Sequence, residues 1–206
     1  MRDALGQAHE RAAGPVRIVS LVPSLTALVC DLGLADRLVG RTGFCIHPRE
    51  RLREIPKVGG TKDVDIERVR ALAPTHLLVN VDENEKPAVD ALRPHVGSVI
   101  VTHPVQADDN LALYRLLGTV FGCEARAEAL AAQLQAQLDE TRRQAFVPRR
   151  GLYLIWRKPW VTVSAGTYIA RMLAEVGLQA VAPDDPARYP PLEFERFGPE
   201  RFDAVL

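Results

Sequence analysis

The chain has 206 residues, 47% hydrophobic and 25% charged, with 26 Lys and Arg against 26 Asp and Glu. This is ordinary globular composition, with enough chain for one large domain or two small lobes. The even balance excludes a global basic field for nucleic acid and an acidic solvating tail.

The opening MRDALGQAHERAAGP holds Arg2, Asp3, Glu10 and Arg11. It lacks the apolar run of about 7–15 residues that a secretory leader needs. No later stretch approaches the roughly 18 apolar residues of a membrane span. As written, the sequence reads as soluble, not exported and hence cytoplasmic, with no membrane insertion. A mature form after leader removal, or a different start, would read the same.

Residues 16–22, VRIVSLV, form a β-branched run suited to a buried strand. Pro23-Ser24 ends it, and Ser24 is expected to cap the helix LTALVCDLG, which Gly33 stops. RLVG (37–40) reads as a second strand, and 42–60 as a loop. Asp65 caps the helix IERVRALA, which ends at Pro74. HLLVNV (76–81), a helix near 85–93 and SVIVT (98–102) follow. Such alternation implies a parallel sheet with helices on its faces.

After Pro104 the rhythm turns helical. Asp108 or Asp109 caps NLALYRLLGTVF, Gly122 interrupts, and EARAEALAAQLQAQLDETRRQ runs on without Gly or Pro. At 1.5 Å per residue it spans roughly 30 Å. Ala127, Leu130, Leu134 and Leu138 make one buried stripe, with Arg126, Gln133, Gln137 and Glu140 opposite. An ordinary surface helix would look similar, but length and position favour a spine between two lobes. Alternation resumes with strands GLYLIW (151–156) and WVTVS (160–164) and a helix from about Thr167 to Glu175, stopped by Gly177. A Pro-rich loop, a short helix near 193–197 and a closing strand, FDAVL, complete the chain. The second lobe reads as incomplete, because less chain follows Pro148 than precedes the spine.

Cys30, Cys45 and Cys123 are odd in number and irregularly spaced, so neither a disulfide framework nor a zinc site is favoured. Cys45-x-His47 has no further metal ligand beside it. No GxGxxG, P-loop or GxSxG occurs, and Gly59-Gly60-Thr61-Lys62 lacks P-loop spacing. An α/β enzyme stays a rival on fold class alone; the favoured reading is not an enzyme.

The segments Arg17–Ala27, Val58-Gly59-Gly60, Ile66-Glu67-Arg68-Val69 and the run from Ala71 to Leu78 resemble, in order, the first lobe of periplasmic cobalamin- and siderophore-binding proteins. These are the helical-backbone (class III) substrate-binding proteins of ABC transporters. YLIWRKPWVTVSAGTYIARMLAEVG and YPPLEFERF are similar to their second lobe and inter-lobe segment, so the resemblance runs from about residue 16 to 206. Ala27 stands where the family often has an acid, and Thr75-His76 where it has Asp-Leu.

The resemblance implies two Rossmann-like α/β lobes, with parallel sheets, joined by a long helix. Here these are an N-terminal lobe at 16–104, a spine at 105–147 and a partial C-terminal lobe at 148–206. It further implies capture of a metal chelate between the lobes for import, cobalamin foremost and otherwise an iron siderophore or haem, with no intrinsic cofactor. A cytoplasmic carrier without a transporter is the alternative. A flat, partly apolar disc needs aromatic faces and a few orienting polar groups at strand ends. The candidates are Phe44, His47, Thr61, Lys62 and Asn80 in the first lobe, and Trp156, Trp160 and Tyr189 in the second. Thr61 and Asn80 stand where cobalamin binders often place Trp, which leaves other chelates open. An ABC permease would be met by one acid per lobe, Glu67 and Glu195.

Overall fold

The computed structural model describes residues 1–194 and 197–206. The chain divides into two compact units: Met1–His103 with Ala112–Ala131, and Pro104–Leu111 with Ala132–Leu206.

Unit 1 is an open sheet of four parallel strands: β1 (Ile18–Ser20), β2 (Leu38–Arg41), β3 (His76–Asn80) and β4 (Ser98–Thr102), in the order β2-β1-β3-β4. Side chains alternate faces along each strand. Ile18, Leu78 and Ile100 enter one core, while Val19, Leu77, Val79, Val99 and Val101 enter another. The first core is closed by α1 (Pro23–Asp31) and parts of α5 (Asp109–Phe121) and α6 (Glu124–Arg143), through Leu25, Val29, Leu117 and Ala127. The second is closed by α3 (Ile66–Ala71) and α4 (Lys86–Leu92), through Val69, Val89 and Leu92. Burial on both faces explains why these strands read as continuous apolar runs.

Two helix starts separate sequence from structure. Asp65 caps α3 as expected, its Oδ1 accepting from the Arg68 N–H at 3.0 Å. Ser24 does not cap α1; the helix begins two residues earlier than expected, on Pro23, with Val22 at the cap position and no side-chain bond. Proline has no N–H to satisfy, and its ring presets the helical φ, so it takes the first helical position and draws Ser24 inside. A short helix, α2 (Arg49–Leu52), lies within the expected 42–60 loop.

The apolar stripe of α6 is as expected: Ala127, Ala131 and Leu138 are buried and Leu130 and Leu134 half-buried, while Arg126, Gln133, Gln137 and Glu140 are exposed. Gly122, with φ of 70°, separates α5 from α6 in the left-handed region.

Unit 2 carries β5 (Arg149–Leu152), β8 (Leu178–Ala180) and β9 (Ala204–Val205) in a parallel sheet ordered β8-β5-β9. β6 (Leu154–Arg157) and β7 (Trp160–Thr162) form a separate antiparallel hairpin. The run GLYLIW is therefore two strands, because β5 pairs with β8 and β9 while β6 turns back on β7. α7 (Tyr168–Ala174) is capped by Thr167, whose Oγ1 accepts from the Ala170 N–H at 3.2 Å. Leu152, Leu192 and Phe197 form this unit's core. The short helix expected near 193–197 includes residues 195 and 196, which lie outside the described residues; Phe194 and Phe197 beside them are not helical.

Candidate functional site

Open parallel sheets meet ligands at the carboxyl ends of their strands, where the strand order reverses. In unit 1 that reversal falls between β1 and β3. Asn84 is buried there. Its Nδ2 donates to Leu21 O at 3.2 Å and Thr61 O at 3.0 Å, and its Oδ1 accepts from the Asn80 N–H at 2.9 Å. One amide thus ties the ends of β1 and β3 to the 59–65 loop.

Three sequence-predicted residues join this network. Thr61 is buried. Lys62 Nζ donates to Asp82 O at 2.8 Å and lies 3.4 Å from a Glu85 oxygen. Asn80 Oδ1 accepts from the Asp82 N–H at 2.8 Å, and its Nδ2 lies 3.4 Å from Thr102 Oγ1. Their polar atoms shape the rim as much as they face outward.

Phe44 and His47 sit on the loop after β2. Gly43 N–H donates to Gly59 O at 2.8 Å, joining this loop to the next. Cys45 anchors it: fully buried, its Sγ lies 3.0 Å from Thr26 Oγ1 and 3.1 Å from Thr42 Oγ1. The buried Arg41 guanidinium donates to Leu52 O at 3.1 Å and Thr42 O at 3.2 Å. With Cys45 turned inward, its neighbours turn outward, leaving Phe44 64% and Ile46 58% exposed. A Cβ at Gly60 would meet the Phe44 ring at 3.2 Å, so the edge of the ring lies against Gly60. His47 is exposed while Cys45 is buried, so the two diverge.

In unit 2 the hairpin register sets the tryptophans apart. Trp156 faces Val161 and Arg157 faces Trp160, so the two indoles project from opposite faces. Trp156 is 66% exposed, its Nε1 donating to Lys158 O at 3.2 Å. Trp160 packs edge-on against Phe194 at 5.5 Å between centroids, with the Arg157 guanidinium 5.7 Å from its ring. Tyr189 is partly exposed in the proline-rich loop. Of the two docking acids, Glu67 is exposed in the first turn of α3 and accepts from Arg70 Nη1 at 2.8 Å, and Glu195 lies outside the described residues.

Sequence reasoning missed Asn84, Cys45 and Arg41 as organisers. Asn84 lies in the hydrophilic run Asp82-Glu83-Asn84-Glu85, which reads as solvated, and nothing local marks its three distant partners.

No helix among the described residues is long and apolar enough to cross a membrane. A family model described as periplasmic binding protein matches residues 18–205. An ABC transporter substrate-binding lipoprotein of Bacillus subtilis, YvrC, is 28% identical over 147 residues, covering 69% of this chain but only 46% of that protein. The crystal structure of the periplasmic vitamin B12-binding protein BtuF of Vibrio cholerae aligns with a TM-score of 0.81 at 22% identity, covering 88% of this chain and 71% of that one. The periplasmic heme-binding protein RhuT of Roseiflexus sp. RS-1 aligns at 0.77 and 26% identity, covering 87% and 71%. The α/β architecture with parallel sheets is therefore shared with solved binding proteins, and the chain belongs to the periplasmic binding protein family.

Proposed function

We propose that this chain captures a metal chelate for an ABC importer, a corrinoid such as cobalamin foremost and otherwise haem or an iron siderophore. The observation that carries the reading is the open aromatic surface of Phe44 at the sheet's carboxyl edge, beside a rim organised by Asn84. A flat macrocycle supplies the partner such a ring lacks. The names of the Vibrio and Roseiflexus proteins support the ligand class. YvrC's name supports the transporter, with Glu67 and Glu195 as the proposed contacts to the permease. His47, Thr61, Lys62 and Asn80 belong to the proposed ligand set in unit 1. Trp156, Trp160 and Tyr189 belong to it in unit 2, where Trp156 is the more open indole.

Titration with cyanocobalamin, haemin and a ferric hydroxamate, followed by visible absorbance and calorimetry, tests this. One of the three is expected to bind at micromolar concentration. Phe44→Ala is expected to weaken that ligand about tenfold, the loss of one aromatic contact. Absence of binding to the whole panel overturns the reading.

A further inference from the structure

A second constellation lies at the opposite, amino-terminal end of the unit 1 strands. Residues 1–9 run alongside β4, the last strand of the sheet: Ala4 N–H donates to Val101 O at 2.9 Å, and Asp3 Oδ2 accepts from Val101 N–H at 3.1 Å. This carries His9 to Ser98, the first residue of β4 and 89 positions away. His9 Nδ1 lies 3.0 Å from Ser98 Oγ, and His9 Nε2 lies 3.0 Å from Asp3 Oδ2. The Asp3 and His9 side chains are almost wholly buried.

The proton positions follow from Asp3. Burial raises its carboxyl, but the His9 bond and the backbone N–H groups of Val101, Gln7 and Leu5 outweigh that and hold it below the usual range. An ionised carboxylate only accepts, so His9 Nε2 carries the hydrogen; in the neutral form of the ring the Nδ1 lone pair then faces the serine hydroxyl. This is the acid–base–nucleophile order of a serine hydrolase, with the two ring nitrogens in exchanged roles. Ser98 borders an open cavity of about 350 Å³, which Arg11, Thr75, His76 and Gly97 also line. His76 stands opposite Ser98 in the β3–β4 register. Glu10 and Arg11 both line the cavity, and the Arg11 guanidinium is paired at 3.1 Å with the exposed Glu124.

We propose that Asp3, His9 and Ser98 form a nucleophilic triad that accepts the acyl group of small esters. The Ser98 hydroxyl proton passes to His9 Nδ1 as Oγ bonds the ester carbonyl carbon. The carbon–oxygen bond to the alcohol breaks, and the departing alkoxide takes the proton from His9. Water then adds to the acyl-serine, giving its proton to His9. The carboxylic acid leaves as the Ser98 oxygen recovers that proton, so the cycle consumes only ester and water. A cavity of this volume has room for a short acyl chain on a small alcohol.

The full chain is to be assayed for p-nitrophenol release from p-nitrophenyl acetate, and for covalent labelling by an alkyl fluorophosphonate with mass mapping of the adduct. Turnover above buffer and an adduct on Ser98 are expected. Ser98→Ala removes one oxygen from an intact strand, which far-UV circular dichroism will check, and is expected to abolish both signals. His9→Gln is expected to slow labelling about 100-fold or more, the loss of a general base. Should His9→Gln not fold, Ser98→Cys is the second variant, expected to be alkylated by iodoacetamide faster than Cys30 and Cys123. Release no faster than buffer, an adduct elsewhere, or full activity in Ser98→Ala overturns the proposal and leaves the three residues as a staple between residues 1–9 and β4.

Discussion

Asn84 shows how much of the candidate site rests on one side chain. Its amide satisfies Leu21 O and Thr61 O in a buried setting and receives the half-buried Asn80 N–H. Removing it strands those groups without solvent, and each unsatisfied buried group costs about 1–3 kcal/mol. Asn84→Ala is accordingly expected to lower unfolding free energy by about 2–4 kcal/mol in urea titration. It should also loosen the 59–65 loop, seen as faster amide hydrogen exchange there. An unchanged urea midpoint would show that the amide does not hold the rim. Cys45 acts in the same way on the neighbouring loop, by pointing inward so that Phe44 cannot. Phe44 could be singled out from the sequence because an aromatic in a loop is conspicuous. Asn84 could not, because an asparagine among acids looks like any solvated turn.

Among elements, α5 and α6 depend on a close approach within unit 1. A Cβ at Gly118 would collide with the Ala127 Cβ, so the two helices meet almost backbone to backbone. Gly118→Val should force them apart and cost about 1–3 kcal/mol, as overpacking usually does. A Gly118→Val/Ala127→Gly double variant should recover part of that in thermal melts. If the single variant melts with the native protein, the approach is not limiting. The longer helices and central strands were legible in the sequence because their signals are local: Gly33, Gly122 and Gly177 at helix ends, Asp65 at a cap, and the three-and-four spacing of α6. The exceptions lie where pairing partners decide. GLYLIW divides because two different sheets claim its halves, and β8 is too short and half-exposed to announce itself.

For the whole molecule, proton linkage is one-sided in the acid range. The perturbed carboxyls of Asp3, Asp90, Asp108, Glu128, Glu175 and Asp203 are all held low, Asp203 to about 2, mainly by Arg150. His76 is also held low, by burial first and by His9 second. Each group binds fewer protons folded than unfolded, so each contribution is complete above its unfolded value and fades as pH falls towards the folded one. Urea midpoints are therefore expected to fall first below about pH 6.5, where unfolded histidine protonates, and again below about pH 4 as the carboxylates follow. His76→Gln should flatten the first step and leave the second. A profile level from pH 7 to 3 would contradict the linkage. The family match over residues 18–205 and the parallel-sheet architecture agree with what the order of short phrases along the chain implied.

Read along the chain, periodicity, caps and glycine stops sufficed for the longer helices and the parallel α/β class, because each is encoded within a few neighbouring residues, while the family came from the order of short phrases that resemble it. Which side chains meet was left to the packing of distant segments. Trp160 turned into packing while Trp156 stayed open, because register, not composition, assigns faces in a hairpin. Asp3 and His9 meet Ser98 from far up the chain, since the sheet's outermost strand offered hydrogen-bonding groups that residues 1–9 could fill.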